Sequence, residues 1–163
     1  MSLILDGTAG VTFPSGSGTQ GAQSKVLQVV SAQNSIATST TSTSFVTTNV
    51  TASITPLFST SKILVLVFGG GNDNGSSSGN YINTTIYRNS TNIGNASTGF
   101  NQTYGSSSRV IVPCAMQAYD SPATTSSTTY DTVFANGQAS GTTYVQYSNG
   151  NDVSTITLME IAQ

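Results

Sequence analysis

Apolar and polar residues alternate along much of this chain with a period of two, the spacing of a strand rather than a helix. In the segment Ser44–Pro56, Val46, Val50, Ala52 and Ile54 occupy even positions, and Thr, Asn and Ser occupy the odd ones. Successive side chains of a strand point to opposite faces of a sheet, so this pattern predicts one buried face and one wet face. No segment shows a sustained period of 3.6, and we therefore expect almost no helix.

The segment Lys62–Phe68 departs from this alternation, because every residue from Ile63 onwards in it is apolar. An antiparallel strand with two apolar faces requires something packed behind its sheet. We therefore expect one face of this strand to meet the core and the other to be covered.

The stretches between the predicted strands are rich in Gly, Asn, Ser and Thr. Asn-Gly occurs at 74–75, 136–137 and 149–150 and favours tight turns, since both residues tolerate positive φ. Eight strands joined by such turns predict an all-β, antiparallel, jelly-roll-like sandwich over residues 25–163, preceded by a short extended N-terminal arm over residues 1–24. The predicted strands are Lys25–Ala32, Ser44–Pro56, Lys62–Phe68, Tyr81–Arg88, Val110–Tyr119, Thr128–Ala135, Thr142–Ser148 and Val153–Ile161.

Charge is scarce: 6% of the residues are charged, four are Lys or Arg, and none is His. An ordinary domain has about 25% charged residues. The absence of His excludes Ser-His-Asp and Cys-His catalysis. Four cations are too few to neutralise a nucleic-acid backbone or to dock on an anionic membrane, and no apolar run is long enough for membrane insertion. We expect a structural or binding protein, not an enzyme, with no cofactor.

The remaining candidates for chemistry are weak. Asp73 and Asp120 both fall in predicted loops, where they could meet as the carboxylate pair of a glycosidase or remain separate and solvated; we favour the second. Residues 71–75 superficially resemble a calcium loop but lack the carboxylates and terminal Glu of an EF-hand, which favours a polar hairpin tip and no metal site. Cys114 is alone and excludes a cysteine metal cage; we expect a buried thiol.

Aromatic residues suggest two kinds of contact. Tyr130, Phe134, Tyr144 and Tyr147 alternate on late strands and are expected in the core or between subunits. Other tyrosines lie near predicted loop ends beside amides and a carboxylate, a combination that suits sugar recognition. The candidate glycan-binding set is Asn72, Asp73, Asn101, Tyr104, Tyr119 and Asp120.

Four stretches resemble segments of bacteriophage tail-fibre and virion proteins. Residues 11–16, Val-Thr-Phe-Pro-Ser-Gly, followed by Thr-Gln at 19–20, resemble their GVTFPDGT-Q segment. Residues 54–56 and 61–67 resemble a strand–loop–strand signature of their β-rich terminal domains. Residues 86–94, Ile-Tyr-Arg-Asn-Ser-Thr-Asn-Ile-Gly, are similar to their LYRNGT-IG hairpin, and residues 156–162 resemble their usual last strand. The four occur in the same order and frame nearly the whole chain.

The resemblance implies a phage virion structural protein whose jelly-roll-like domain forms a homotrimer of the broad tumour-necrosis-factor/C1q shape. The strand Lys62–Phe68, which is apolar on both faces, agrees with a trimer whose subunits bury apolar strand faces against one another around an axis. The candidates for that interface are Leu64, Leu66, Phe68, Val133 and Tyr147. The arm holds two small apolar clusters that it cannot bury alone, so we expect it to attach to other virion proteins. The attachment candidates are Leu3, Leu5, Val11 and Phe13.

Two functions remain open within that framework. The first is a short fibre or fibre-tip module that engages host-surface glycans, where three copies raise avidity without a strong single site. The second is a capsid decoration, or head-fibre, protein anchored to the shell by its N-terminal arm. The short distance between arm and domain weakens a long-fibre interpretation.

Overall fold

The computed structural model describes residues 25–75, 79–106, 108–138, 141–146 and 152–163, and the backbone of residues 4–6 and 10–12. These residues form strands and no helix, which confirms the all-β prediction, and accordingly none of them belongs to a helix able to cross a membrane. The strands are β1 (Ile4–Asp6), β2 (Gly10–Thr12), β3 (Val26–Asn34), β4 (Thr38–Thr40), β5 (Val46–Ile54), β6 (Lys62–Asp73), β7 (Tyr81–Arg88), β8 (Thr91–Asn92), β9 (Asn101–Tyr104), β10 (Ile111–Asp120), β11 (Thr128–Asn136), β12 (Thr143–Val145) and β13 (Ser154–Ile161).

Eight of these strands form two antiparallel sheets that pack face to face. The first sheet has the order β3-β13-β6-β10, and the second has the order β5-β11-β7-β9. Counted along the chain, the first of the eight pairs with the last, the second with the seventh, the third with the sixth and the fourth with the fifth. This is a long hairpin rolled into a sandwich, so the jelly-roll prediction is confirmed.

The shorter strands add to this framework. β4 and β12 extend the first sheet beside the end of β6, and β8 forms a hairpin with β7. β1 and β2 pair antiparallel as a separate two-stranded sheet within the predicted N-terminal arm.

The core between the sheets follows the alternation of the sequence. In β5, Val50, Ala52 and Ile54 are buried while the odd positions face solvent, as predicted. Cys114 is buried as well, and burial raises the pKa of its thiol against the opposing hydrogen bond with Thr84. The other large core side chains include Ile63, Val65, Ile86, Tyr130, Ile156 and Leu158.

β6 is longer than predicted, because three glycines bend the strand instead of ending it. Gly69 and Gly70 have φ of 114° and 44°, and a Cβ on Gly69 would lie 2.0 Å from the carbonyl oxygen of Val153. The pairing with β10 shifts by a residue here, and β6 then continues to Asp73. The predicted polar hairpin tip over residues 71–75 is therefore wrong, since these residues are buried.

β9 supplies the strand of the jelly roll that the sequence pattern missed. Its sequence, Asn-Gln-Thr-Tyr, has no apolar alternation, yet it pairs with Tyr81–Thr84 of β7. Of the predicted strand Thr142–Ser148, the structure describes residues 142–146, and three of them form β12, which pairs with β4 and the end of β6.

Candidate functional site

The outward face of the first sheet carries a contiguous group of apolar side chains. Val29, Met159, Leu64 and Tyr119 are successive cross-strand partners over all four strands. Leu66 and Phe68 continue the group along β6, on the same face as Leu64 because side chains of a strand alternate. We call the six residues Val29, Leu64, Leu66, Phe68, Tyr119 and Met159 the outer apolar face.

The residues predicted for a subunit interface divide into three groups. Leu64 and Leu66 are half-buried and Phe68 is 67% exposed, so all three lie on the outer apolar face. Val133 is only 4% exposed in the single chain, so its side chain is not available to another copy, and the prediction for this residue is wrong. Tyr147 lies outside the described residues.

The six residues predicted to bind glycan do not form one site. In the ladder of β6 and β10, Asp73 faces Ile111 while Asp120 faces Ile63. Nine residue steps separate these two pairs, or roughly 30 Å along the strands. Asp73 and Asp120 therefore cannot act as a glycosidase pair, which requires a separation of about 5–10 Å.

At one end of this ladder, Asp73 and Asn72 are turned into the protein. The Asp73 carboxylate is fully buried and accepts hydrogen bonds from the Arg109 guanidinium, with Nε at 3.0 and 2.9 Å from its two oxygens. The side-chain amide of Asn72 donates to the hydroxyl of Thr84 at 3.3 Å. Neither residue can contact a surface glycan, so both predictions are wrong. The two predictions failed because β6 continues to Asp73 and so places both residues in the sandwich instead of in a loop.

At the other end, Asp120 is the centre of a polar cluster. Nη1 of Arg88 lies 2.8 Å and 2.9 Å from its two oxygens, and the hydroxyl of Tyr130 donates to Oδ2 at 2.7 Å. Burial raises the pKa of Tyr130, and the Asp120 carboxylate raises it further. Through these internal partners, Asp120 fixes β10 to the second sheet, and its predicted contact with a glycan stays a prediction.

The last three predicted glycan residues remain accessible but are far apart. Tyr104 is 58% exposed and its ring lies 6.5 Å from that of Tyr81, at the Asp73 end of the sandwich. Tyr119 belongs to the outer apolar face, at the opposite end. Asn101 is half-buried where β9 begins. No single ligand of modest size reaches all three.

A polar groove on the second sheet was not predicted from the sequence. It has a volume of about 640 Å³ and lies across β5, β11 and the hairpin of β7 and β8. We call it the polar groove, and its lining residues are Thr47, Asn49, Thr51, Tyr87, Asn89, Ser90, Thr129 and Asp131. The only sequence signal for it is the run of Thr and Asn at the odd positions of β5.

A β-bulge shapes one wall of the polar groove. On β5 and β11, Asp131 pairs with Thr51 and Val133 pairs with Thr47, so three residues of β5 face one residue of β11. Asn49, in the middle of these three, has φ of 63°. Bulges redirect side chains and occur preferentially at functional sites.

A tight turn shapes the opposite wall. Asn89 and Ser90 connect β7 to β8 and have φ of 44° and 71°, as a two-residue hairpin turn requires. The backbone N–H of Asn89 donates to the carbonyl of Thr129 at 2.9 Å, and the N–H of Thr129 donates to Asn89 Oδ1 at 2.8 Å. The turn is thereby fixed to β11.

Asp131 is the acidic residue of the polar groove. Burial raises the pKa of its carboxyl group, and a hydrogen bond of 2.9 Å from the Thr47 hydroxyl opposes part of this rise. The same hydroxyl accepts a hydrogen bond from the N–H of Asn49 at 2.9 Å. The part of the chain that the structure describes holds no group of three or more His, Cys, Asp or Glu able to bind a metal ion.

No protein-family model matches the chain, and no curated protein matches it either. Among solved structures it is similar to chains of infectious bursal virus derived T=1 particles, with 12% identity and a TM-score of 0.39 over 85% of this chain and 37% of that one. The subviral particle of infectious bursal disease virus VP2 gives 12% identity and a TM-score of 0.38, over 83% of this chain and 38% of that one. The T13 particle of the same virus gives 14% identity and a TM-score of 0.38, over 100% of this chain and 40% of that one. This chain spans about two-fifths of the length of these relatives.

Proposed function

We propose that this chain is a bacteriophage virion structural protein, and that its jelly roll assembles as a homotrimer through the outer apolar face. The observation that carries the proposal is this face itself. Phe68, Tyr119 and Val29 are 67%, 57% and 55% exposed in the single chain, although they lie on the same face of one sheet. A contiguous exposed apolar patch marks a surface for association.

The chemistry of the face favours burial against another protein surface. Each 100 Å² of apolar area removed from water stabilises an assembly by about 2.5 kcal/mol before the entropic cost of association. The cores of subunit interfaces are depleted of charge. The six residues of the outer apolar face include no charged residue, and Lys62 lies only at its border, beside Ser121.

A second copy of this chain is the occupant that best fits these properties. A partner recognised by charge would need accessible charged groups, but Arg88 and Asp120 already form an ion pair within the chain. Arg109 and Asp73 form another. An uncharged face meets copies of itself without repulsion, and closed symmetry also protects the exposed edges of a sheet. We propose three subunits because the sequence resembles phage domains that form trimers.

The attachment role falls to residues 1–24, which include the candidates Leu3, Leu5, Val11 and Phe13. The backbone of β1 and β2 already forms an antiparallel pair of strands. Strand addition to another virion protein is a common mode of recognition. Deletion of residues 1–24 is expected to abolish incorporation into particles without loss of the trimer. Few copies per particle would support a short fibre or fibre tip, and hundreds would support capsid decoration.

Light scattering of the full chain in solution tests the trimer. We expect a mass of about 50 kDa, three times the 16.7 kDa of one chain. Phe68→Asp is expected to dissociate the trimer, because it places a charge in the outer apolar face. Phe58→Asp is the matched control: Phe58 is 56% exposed but lies in the loop between β5 and β6, so this variant should remain trimeric. A monomeric parent chain, or a Phe68→Asp variant that stays trimeric, would overturn the proposal.

A further inference from the structure

We infer that the polar groove is a binding site for a neutral carbohydrate, with the ring of Tyr87 as a stacking surface and with Asn49, Ser90 and Asp131 as hydrogen-bonding groups. The inference goes beyond the proposed assembly role. It depends on the proposed trimer only for the number of sites per assembly, because three copies would present three such grooves.

The composition of the lining points to this ligand class. Four residues of the polar groove carry hydroxyls, two carry amides, one carries a carboxylate, and Tyr87 contributes an aromatic ring. Sugar hydroxyls both donate and accept hydrogen bonds, so they suit a mixed lining of this kind. An aromatic ring with an apolar body and a polar tip suits the C–H face of a sugar. The volume of about 640 Å³ lies within the usual range for small-ligand sites, about 300–1,000 Å³.

The charge of the lining separates neutral sugars from acidic ones. None of the eight lining residues is Lys or Arg, and Asp131 is their only charged member. A sialylated or sulfated glycan would bring its negative charge near this carboxylate with no lining cation to balance it. The polar groove therefore favours an uncharged ligand.

Several residues that line the polar groove have a backbone in the left-handed region. Five non-glycine residues of the described chain have positive φ, and three of them, Asn49, Asn89 and Ser90, line the polar groove. Asn tolerates this conformation better than most residues, so the clear cost, about 1–2 kcal/mol, falls on Ser90. Strained backbone of this kind tends to occur at functional sites. The hairpin turn accounts for the positive φ at positions 89 and 90, but not for a serine where glycine would be unstrained.

Internal hydrogen bonds hold these polar groups in place before any ligand arrives. Thr47 joins Asp131 to the backbone of Asn49. Thr129 joins Asn89 to the hydroxyl of Ser53 at 2.8 Å. Groups fixed in this way lose little freedom on binding, which favours affinity.

The test uses the full chain and a panel of immobilised neutral oligosaccharides ending in glucose, galactose, mannose or N-acetylglucosamine, with sialylated and sulfated glycans as the charged comparison. Methyl glycosides of the sugars that bind are then titrated into isotopically labelled protein, and the backbone amide shifts are followed by NMR. We expect binding to neutral glycans, with the largest shifts at Asn49, Asn89 and Thr129.

Variants locate the site. Asp131→Asn, Tyr87→Ala and Asn49→Gly should each weaken binding about tenfold or more, because each removes a contact to the sugar. Asn49→Gly also protects the test against misfolding, since glycine accepts φ of 63° without strain. Tyr104→Ala is the matched control: this tyrosine is also exposed and was a candidate from the sequence, but it lies outside the polar groove.

The outcomes for this site and for the trimer are independent. Groove variants that bind less but keep the 50 kDa mass would support the site. The inference is overturned if no neutral glycan binds, if only acidic glycans bind, if the groove variants bind like the parent chain, or if Tyr104→Ala abolishes binding. A monomer that still binds neutral sugars through Asp131 would overturn the assembly proposal and leave the site intact.

Discussion

The side-chain amide of Gln28 donates a hydrogen bond of 2.6 Å to Oε2 of Glu160, across 132 positions of sequence. The other carboxylate oxygen accepts the backbone N–H groups of Leu57 at 2.8 Å and Phe58 at 3.3 Å. Glu160 is fully buried, so one carboxylate joins the edge strand β3, the last strand β13 and the loop between β5 and β6. Burial alone would raise the pKa of Glu160, but these hydrogen bonds, led by that from Gln28, lower it overall.

Glu160→Gln is expected to lower the free energy of unfolding at pH 7 by about 1–3 kcal/mol, because an amide cannot accept all of these hydrogen bonds. The folded carboxyl has a pKa below the unfolded value of 4.5, so its contribution is present above that pH and is lost as the pH falls through the folded pKa. Urea unfolding at pH 7 and pH 3 measures both effects. The difference between variant and parent should shrink at pH 3, and equal stability at pH 7 would contradict the assignment.

Ser90→Gly is expected to stabilise the free protein by about 1 kcal/mol, because glycine removes the steric cost of a positive φ. The phage hairpin pattern has glycine at this position. Ser126→Gly is the control, since Ser126 is also exposed but is absent from the positive-φ residues, and glycine there should destabilise slightly. Thermal unfolding of both variants gives the comparison. If the polar groove binds sugar through the Ser90 hydroxyl, Ser90→Gly gains stability and loses affinity together.

Tyr130→Phe is expected to destabilise the fold by about 1–2 kcal/mol at pH 7, since Asp120 loses a buried hydrogen-bond donor. The pKa of Tyr130 is raised above its ordinary value of 10.0, chiefly by burial. The unfolded chain therefore releases this proton first, and stability falls as the pH rises above about 10. Denaturant unfolding between pH 8 and 11 should show a steeper decline for the parent chain than for Tyr130→Phe. Tyr104→Phe, at an exposed ring, should follow the parent chain.

Asp131→Asn is expected to fold with at least the stability of the parent chain at pH 7. Burial raises the pKa of Asp131, so the charged form is disfavoured in the folded state, and stability declines as the pH rises through the interval above 3.8. An asparagine has no charge to bury and can still accept the hydrogen bond from Thr47. Unfolding curves from pH 3 to 7 should lack this decline in the variant. A marked loss of stability at pH 7 would show that the carboxylate is needed for folding, not for a ligand.

Local patterns in the sequence were sufficient for the strands whose burial is one-sided. β5 and β13 lie where alternation and turn residues predicted them, because the two faces of a strand are distinguished by adjacent residues. β9 escaped prediction because its four residues carry no apolar alternation, and only pairing with β7 makes them a strand. The end of β6 was misplaced because glycines bend this strand where they usually terminate one.

The candidate sites depended on the register between strands, which no short segment encodes. Tyr119 and Asp120 are adjacent in sequence, but alternation sends one to the outer apolar face and the other inward to Arg88. The polar groove depends on Thr51, Asp131 and Tyr87, which come from three strands and become neighbours only through cross-strand pairing.

The sequence by itself determined the fold class, since the two-residue period and the turn chemistry act over a few residues at a time. The tertiary structure alone decided which polar residues are internal partners and which line a surface, because that choice depends on pairings between distant residues. Arg109 and Asp73 are 36 positions apart, and Thr47 and Asp131 are 84 positions apart.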